Sequence, residues 1–214
     1  MKKQKALKQF TDINDCLVRA KEGEAEAQCY LGSVYDFGRQ GVSQDRKKAF
    51  EWYTLSAEQG FARAQYALGS LYENGEGVNQ NHKSAVKWYT LSAEQGDASG
   101  QRALALMYAN GKGITQDHKS AVKWYTLSAE QGDSIAQYSL GVMYDNEIGV
   151  SQDRKKAFKW YTLSAEQGYD YAQFNLGALY QCGEGVSQDY KKAFKWYKLA
   201  AEQGLAIAQY ALGM

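Results

Sequence analysis

Apolar residues recur along the chain at helical spacing in two alternating patterns. The first appears in "ARAQYALGSLYENG", residues 62–75, and predicts a helix that we call helix A. Its apolar face in this copy consists of Ala64, Leu68, Leu71 and Tyr72. The second appears in "NHKSAVKWYTLSAEQG", residues 81–96, and predicts a helix that we call helix B. Its face consists of Ala85, Trp88, Tyr89, Ser92 and Ala93. The pattern therefore predicts helical hairpins.

The hairpin repeats along the chain at a constant period. A Trp-Tyr dipeptide begins every 36 residues, at Trp52, Trp88, Trp124, Trp160 and Trp196. We place five repeats at residues 24–60, 61–96, 97–132, 133–168 and 169–204, each closing on "AEQG". Residues 1–23 are expected to form a polar N-terminal capping helix, and residues 205–214 a partial sixth repeat with helix A only. A strict repeat of helix pairs predicts an all-α solenoid.

Turn and cap residues stand where such hairpins need them. Gly75 and Gly77 suit a loop with positive φ, and the first repeat has one additional residue in this loop, around Arg39. Acceptors for the N-cap of helix B are predicted at Asp45, Asn81, Asp117, Asp153 and Asp189. Small residues on helix A predict close helix contacts, at Gly32, Gly69, Gly141 and Gly177, with Ala105 as the exception.

The segment "ARAQYALGSLYENGEGVNQNHKSAVKWYTLSAEQG" resembles the Sel1-like repeat family, a relative of the tetratricopeptide repeats. The resemblance covers residues 24–214. It implies a right-handed α-α superhelix whose helices A line the concave face, and it implies an adaptor that binds a protein or peptide without catalysis. A cysteine-rich branch of the family is associated with β-lactam binding or hydrolysis and carries a cysteine pair in each repeat. The three cysteines of this chain form no such pairs.

Composition narrows the kinds of partner. The chain has 25 Lys and Arg against 24 Asp and Glu, so its net charge gives no reason to expect nucleic acid or an anionic membrane. No apolar stretch approaches the roughly 20 residues that span a bilayer, and the N-terminal residues lack the apolar core of a signal peptide. We expect a soluble chain without metal or cofactor, in a compartment that the sequence leaves open.

By the same resemblance, candidate binding residues lie on helix A. An aromatic row interrupted by one cation is formed by Tyr66, Arg102, Tyr138 and Phe174. Leu106 and a row of amides, Asn74, Asn110 and Asn146, follow further along helix A. Amides can donate to and accept from an extended peptide backbone, aromatic rings supply apolar contact, and Arg102 can bind a carboxylate with two hydrogen bonds. Alternatively, the asparagines only end helix A and the aromatic rings only pack between neighbouring helices.

Two other functions remain open, namely a β-lactam or peptidoglycan-directed hydrolase, as in the cysteine-rich branch, and a self-assembling scaffold. Ser84 and Ser120 each begin an S-x-x-K sequence found in β-lactam hydrolases, but other repeats carry Lys at the same position, so we assign no catalytic residue. The partial repeat at residues 205–214 could stack on a second copy and give head-to-tail assemblies. Residues at the start of helix B, including Arg46, Arg154, His82 and His118, are interpreted as solvated surface positions.

Overall fold

The computed structural model describes residues 12–213 and contains only helices and loops over that range. The described chain divides at the Gln116–Asp117 bond into two compact units, which we call unit 1 and unit 2. The helices of unit 1 are α1 (Ile13–Lys21), α2 (Ala25–Phe37), α3 (Arg46–Glu58), α4 (Ala62–Asn74), α5 (His82–Glu94) and α6 (Ala98–Asn110). Those of unit 2 are α7 (His118–Glu130), α8 (Ser134–Asp145), α9 (Arg154–Glu166), α10 (Asp170–Cys182), α11 (Tyr190–Glu202) and α12 (Ala206–Leu212).

Even-numbered helices are helices A, and odd-numbered helices from α3 onward are helices B. Within each unit, a helix A packs against the helix B that follows it, as α4 does against α5 and α10 against α11. Each helix B also packs against the next helix A, as α3 does against α4 and α9 against α10. The predicted all-α solenoid is therefore confirmed. The predicted N-terminal cap is described only from residue 12, where α1 packs on α2; residues 1–11 lie outside the described range.

The tyrosine of each Trp-Tyr pair lies in the core. The exposed fractions of these side chains are 3% for Tyr53, 2% for Tyr89, 5% for Tyr125, 0% for Tyr161 and 7% for Tyr197. The preceding tryptophans are half-buried, and Trp88 and Trp196 pack at the edges of the two cores. The periodic pattern put both residues on the apolar face of helix B, and the structure shows that only the tyrosine is fully covered.

Helix A approaches this tyrosine at the predicted small residue. A Cβ atom added at Gly69 would lie 2.6 Å from Cδ1 of Tyr89, and one added at Gly141 would lie 2.6 Å from Cδ1 of Tyr161. Such distances are shorter than carbon atoms tolerate without movement of a neighbour. Glycine at this position therefore allows the helix A backbone to rest on the tyrosine ring.

Buried glutamines connect three successive helices, a feature that our sequence analysis did not identify. In unit 1, Gln65 Nε2 donates to the carbonyl oxygen of Ala57 at 3.2 Å, and Gln65 Oε1 accepts from Gln95 Nε2 at 2.6 Å. The same pair of bonds forms in unit 2 around Gln173, to the Ala165 carbonyl oxygen and from Gln203 Nε2. This carbonyl oxygen lies in the last turn of the preceding helix B and already accepts from a backbone N–H of the helix end, so the glutamine amide adds a second hydrogen bond to it.

The predicted N-caps of helix B are confirmed. Asp45 and Asp153 each accept a hydrogen bond from the backbone N–H three residues later, and Asn81 accepts from the N–H of Ser84 in the same way. Asp117 and Asp189 cap their helices similarly. The hydrogen bond from the Lys48 N–H lowers the pKa of Asp45, and that from the Lys156 N–H lowers the pKa of Asp153.

Replacing Asp153 with Asn is expected to reduce the acid sensitivity of the fold. The folded-state pKa of Asp153 lies below its unfolded value, so its stabilisation is present above an unfolded pKa of about 3.9 and is lost as the pH falls through the folded value. Asn keeps the acceptor and cannot be protonated. The measurement is the difference in melting temperature between about pH 7 and pH 3, which should be smaller in Asp153→Asn than in wild type. Asn81→Asp is the reciprocal control and should enlarge it; equal differences in all three proteins would contradict this account.

Arginines at the start of helix B connect neighbouring repeats rather than lying free on the surface as interpreted from the sequence. Arg46 Nε lies 3.2 Å from Asp36 Oδ1, and its guanidinium also pairs with Glu76 in the loop of the next repeat. In unit 2, Arg154 Nη1 lies 2.5 Å from Asp145 Oδ1 and 2.6 Å from Glu184 Oε2. The sequence pattern within one repeat could not reveal these pairs because one partner belongs to the following repeat.

The two histidines at the same position are also less exposed than expected. His82 and His118 are half-buried, and the Nδ1 atom of each is buried without a hydrogen-bond partner. A Cβ atom added at Gly113 would lie 2.4 Å from the carbonyl carbon of His82, and one added at Gly149 would lie 2.6 Å from that of His118. The loop between helix A and helix B of the following repeat, which we call the glycine loop, therefore packs directly on the first turn of the preceding helix B.

Candidate functional site

Helices α2, α4, α8 and α10 each present one face to the core and a second face to a cavity. In α4, the buried face carries Ala64, Leu68 and Leu71. The second face carries Arg63, Tyr66, Ala67 and Ser70, at the spacing of one helical stripe, and it lines a cavity. This arrangement leaves the side chains of the second face available to a ligand while the first face holds the fold together.

The unit 1 cavity lies between the successive helices A α2 and α4 and has a volume of about 450 Å³. From α2 it is lined by Cys29, Tyr30, Ser33, Asp36 and Phe37. Tyr53 of α3 and Arg39 of the loop between α2 and α3 complete the lining. Aromatic rings, hydroxyls and charged groups therefore meet in one concave space of a size typical of ligand sites.

The unit 2 cavity occupies the equivalent place between α8 and α10 and has a volume of about 420 Å³. From α8 and its C-cap it is lined by Tyr138, Val142, Asp145 and Asn146. From α10 it is lined by Asn175, Ala178, Leu179 and Cys182. Arg154, Tyr161 and Glu184 complete it. A cavity between two successive helices A thus occurs in both units.

The predicted aromatic row divides between cavity walls and packing. Tyr66 lines the unit 1 cavity, and its ring centroid lies 5.9 Å from that of Tyr89 in the core. Phe174 packs instead against the core cluster at the end of unit 2, with its ring centroid 5.3 Å from that of Tyr197. Tyr66 is therefore placed for contact with a ligand, whereas Phe174 has the packing position that the alternative interpretation described.

Tyr138 stands in a group of tyrosines in unit 2. Its ring centroid lies 5.9 Å from that of Tyr161, 5.1 Å from that of Tyr169 and 6.1 Å from that of Tyr171. Burial raises the pKa of Tyr138, so its hydroxyl stays protonated at neutral pH and can donate a hydrogen bond. Tyr171 is 45% exposed, so this aromatic group extends from the cavity wall to the surface.

The three predicted asparagines all end a helix A. Asn74 and Asn110 are the last residues of α4 and α6, each followed by a glycine in the left-handed conformation, and Asn146 is the C-cap of α8. Asn146 Nδ2 donates to the carbonyl oxygen of Val142 at 3.0 Å. All three side chains are exposed, and Asn146 also lines the unit 2 cavity. Their position agrees with the helix-ending role. A binding role for these exposed side chains stays a prediction.

Arg102 and Leu106 lie on α6 and line neither of these two cavities. Arg102 is half-buried, and Leu106 is 42% exposed. Of the eight predicted binding residues, Tyr138 and Asn146 line the unit 2 cavity and Tyr66 lines the unit 1 cavity, whereas the other five line neither of these two cavities.

Several cavity residues were not identified from the sequence. Arg39 and Arg63 line the unit 1 cavity, and Asn175 lines the unit 2 cavity. Arg39 had a visible signal, because it stands in the one loop that is longer by a residue. Arg63 and Asn175 had none, since the corresponding positions of other repeats carry unrelated residue types.

Groups that would suggest catalysis are engaged in packing or capping. Burial raises the pKa of the Cys29 thiol to about 12, so the sulfur lining the unit 1 cavity is not a thiolate at neutral pH. Ser120 Oγ donates to its N-cap residue Asp117 at 2.6 Å. Within residues 12–213, no group of three or more His, Cys, Asp or Glu side chains is arranged to hold a metal ion.

Two further surfaces carry exposed apolar side chains. Each helix B from α3 to α9 exposes a leucine, namely Leu55, Leu91, Leu127 and Leu163, with exposed fractions of 36–46%. At the end of unit 2, Phe194 is 59% exposed and Tyr210 is 88% exposed. These surfaces compete with the cavities as candidate contact sites.

The described helices have no membrane-spanning character. The longest contain 13 residues, and none between residues 12 and 213 is long and apolar enough to cross a bilayer.

Solved structures and curated proteins contain similar repeats. A Sel1 repeat protein from Oxalobacter formigenes has a similar structure, with a TM-score of 0.82 and 37% sequence identity over 89% of this chain and 76% of that one. An Arabidopsis thaliana protein described as an ERAD-associated E3 ubiquitin-protein ligase component, HRD3A, is 34% identical over 59 residues, 28% of this chain. Chitin synthase regulatory factor 3 of Schizosaccharomyces pombe is 38% identical over 53 residues, 25% of this chain.

The matched segments are short relative to these two curated proteins, at 9% of HRD3A and 6% of the chitin synthase regulatory factor. Both are named as components or regulators of other proteins' activity, which agrees with a protein-interaction module. The family model for the Sel1 repeat matches five successive segments, residues 25–61, 62–97, 98–133, 134–169 and 170–205. The chain therefore belongs to the Sel1 repeat family.

Proposed function

We propose that this chain is a non-catalytic interaction module that binds a segment of a partner protein on the helix A surface, at the cavities between successive helices A. The observation that carries the proposal is the recurrence of a cavity at the same place in the repeat in unit 1 and in unit 2. Tyr66 and Tyr138 stand at equivalent positions of the repeat, with Tyr66 on the second helix A of its cavity and Tyr138 on the first. A repeated cavity suits a partner segment that extends along several repeats.

The chemistry of the walls supports a peptide as the ligand. Aromatic side chains such as Tyr66 and Tyr138 provide large contact areas at a low cost in side-chain entropy. Asn146 and Asn175 supply amide groups beside Tyr138, and amides can pair with both the N–H and the C=O of a peptide backbone.

The proposal is tested by affinity capture from the source cells, with purified wild type and two variants of unchanged helicity. The first variant carries Tyr66→Ala, Arg102→Ala and Tyr138→Ala on helices A. The matched control carries Leu55→Ala, Leu91→Ala and Leu163→Ala on the exposed helix B leucines. We expect the helix A variant to retain less than about a tenth of the partner bound by wild type, because a few aromatic and arginine residues usually dominate such interfaces. The control should retain the partner fully.

Two results would contradict the proposal. Equal capture by the helix A variant and wild type would remove the binding site from these residues. Loss of the partner only in the helix B variant would assign the site to the leucine row.

Self-association is a second candidate, supported by an exposed aromatic side chain of α11. In both units, a phenylalanine of helix B packs edge-on against a tyrosine of the next helix A: the Phe50 and Tyr72 centroids are 5.4 Å apart, as are those of Phe158 and Tyr180. Phe194 stands at the same position in α11 and is 59% exposed. A second copy could cover it and contact residues 205–214. Light scattering should then show a mass that rises with concentration in wild type but not in Phe194→Ser; a constant monomer mass would exclude this candidate.

A further inference from the structure

The two cavities differ in the charge of their walls. Three ionisable groups with formal charge at neutral pH line the unit 2 cavity, namely Asp145, Arg154 and Glu184. They pair with one another, because Arg154 Nη1 lies 2.5 Å from Asp145 Oδ1 and 2.6 Å from Glu184 Oε2. One arginine between two carboxylates leaves a net negative wall, and Nη1 of the arginine is already engaged with both carboxylates.

The unit 1 cavity has the opposite balance. Two arginines, Arg39 and Arg63, line it together with a single carboxylate, Asp36. Within residues 12–213, no carboxylate oxygen lies within 4.0 Å of either guanidinium. Both side chains are exposed, so their donors face solvent and are available to a ligand.

The one carboxylate of this wall is partly compensated from within the protein. Asp36 is 9% exposed, and its Oδ1 lies 3.2 Å from Nε of Arg46, which does not line the cavity. Burial raises the pKa of Asp36, and Arg46 acts in the opposite direction. Arg46 also pairs with Glu76, so it compensates Asp36 only in part, and the two cavity arginines still outnumber the one carboxylate of the wall.

The additional loop residue of the first repeat determines the place of Arg39. Arg39 follows Gly38, which ends α2 in the left-handed conformation, and its guanidinium lies 4.7 Å from the ring centroid of Phe37. The next residue, Gln40, has a φ of 54° and donates from Nε2 to the hydroxyl of Tyr30 at 2.7 Å. The loop is thus fixed to the cavity wall, and stacking on Phe37 holds the cation at the edge of the cavity.

We propose that the unit 1 cavity binds a carboxylate carried by an apolar or aromatic segment of the partner, with Arg39 and Arg63 as its cationic contacts. The inference rests on the proposed function and names the chemical class of group that enters this one cavity. Guanidinium groups match carboxylates in geometry and can donate two parallel hydrogen bonds. The rings of Tyr30, Phe37 and Tyr66 provide apolar contact for the residue that carries the carboxylate.

A single negative charge fits the site better than a doubly charged group. The lining charges of Arg39, Arg63 and Asp36 sum to one positive charge. A phosphate dianion would exceed this charge and would approach Asp36, whereas one carboxylate balances it. The carboxylate can come from the C-terminus of a chain or from an Asp or Glu side chain, and these two sources are separated experimentally.

The test uses an array of random-sequence peptides synthesised in two forms, one with a free C-terminal carboxylate and one amidated. The wild-type chain is compared with the double variant Arg39→Gln, Arg63→Gln and with a control, Lys47→Gln, Lys83→Gln, which removes the same charge from exposed positions of unit 1. Peptides bound by wild type should carry a carboxylate, bind about tenfold more weakly to the arginine variant and bind unchanged to the control. Binding of the free-acid form alone indicates the C-terminus, and binding of both forms indicates a side chain.

Three outcomes would overturn the inference: no saturable peptide binding to wild type, equal binding to the arginine variant, or equal loss in the lysine control. Competition by inorganic phosphate at lower concentration than by acetate would assign the site to phosphate groups instead. The capture experiment distinguishes failure of this inference from failure of the proposed function. If the arginine variant keeps the cellular partner while the Tyr66, Arg102 and Tyr138 variant loses it, only the carboxylate inference fails.

Discussion

Replacing Tyr161 with Ala is expected to lower the free energy of unfolding by roughly 3–5 kcal/mol, the range measured for large aromatic residues removed from a protein core. The Tyr161 side chain is 0% exposed, and it belongs to the core cluster that α9 shares with α10. The backbone of helix A at Gly141 rests on its ring, so the cavity left by the substitution cannot be filled by a small side-chain movement. Urea unfolding followed by circular dichroism measures the loss.

Two neighbouring changes separate the contribution of the ring from other effects. Tyr161→Phe keeps the ring and removes only the hydroxyl, which lies 3.5 Å from Asp145 Oδ2, and should cost about 1 kcal/mol or less. Trp160→Ala removes a larger side chain, but that side chain is half-buried and should cost less than Tyr161→Ala. If Trp160→Ala proved more destabilising than Tyr161→Ala, the tyrosine would not be the principal core residue of helix B.

The second large effect is expected for Gly77→Ala, in the loop between α4 and α5, which packs on α3 of the preceding repeat. A Cβ atom added there would lie 2.1 Å from the carbonyl oxygen of Arg46, and Gly77 has a φ of +72°. The left-handed conformation costs a residue with a Cβ about 1–2 kcal/mol, and overpacking typically costs a further 1–3 kcal/mol. The clashing atom belongs to the backbone and cannot turn away, so the loop must separate from α3.

Gly96→Ala is the matched control, because Gly96 has a φ of +88° and nothing lies within 4 Å of its added Cβ atom. It should show only the conformational cost of about 1–2 kcal/mol. The difference between the two variants in unfolding free energy therefore measures the contact between the glycine loop and the preceding helix B. Equal losses would mean that this contact does not help to hold neighbouring repeats together.

Much of the fold followed from the sequence because the signals were local and repeated. The period of the Trp-Tyr pairs predicted the helical hairpins. The acceptor residues before helix B predicted its N-caps, because capping depends only on residues three positions apart. The ranking of Trp160 and Tyr161 could not be predicted in this way. Both lie on the apolar face of one helix, and which of them is covered depends on where Gly141 of the neighbouring helix rests.

The contacts between repeats also could not be predicted from the sequence of a single repeat. Arg46 and Arg154 meet Glu76 and Glu184 of the following loops, whereas His82 and His118 are followed by repeats with Lys112 and Ile148 at that position. This correspondence is visible in the sequence only after the register between one repeat and the next is known.

The candidate site was predicted only in part. The sequence predicted that helix A carries it, and Tyr66 and Tyr138 do line cavities. Arg39 was not proposed as a binding residue because a loop insertion has no periodic equivalent against which to compare it. Whether Arg102, Leu106 and the asparagines contact a partner stays a prediction, since nothing in the helix periodicity distinguishes an exposed binding residue from an exposed helix end.

Site-specific photocrosslinking tests the central claim most directly. A photoreactive phenylalanine analogue is placed at Tyr66 or Tyr138 in the cavity walls, and at Leu91 or Leu163 on the helix B leucine row as matched exposed controls. Each protein is irradiated in its source cells, and the crosslinked species are identified by mass spectrometry. We predict a crosslink to the same partner from the two helix A positions and none from the helix B positions. A partner crosslinked from Leu91 and Leu163 but not from Tyr66 or Tyr138 would contradict the account.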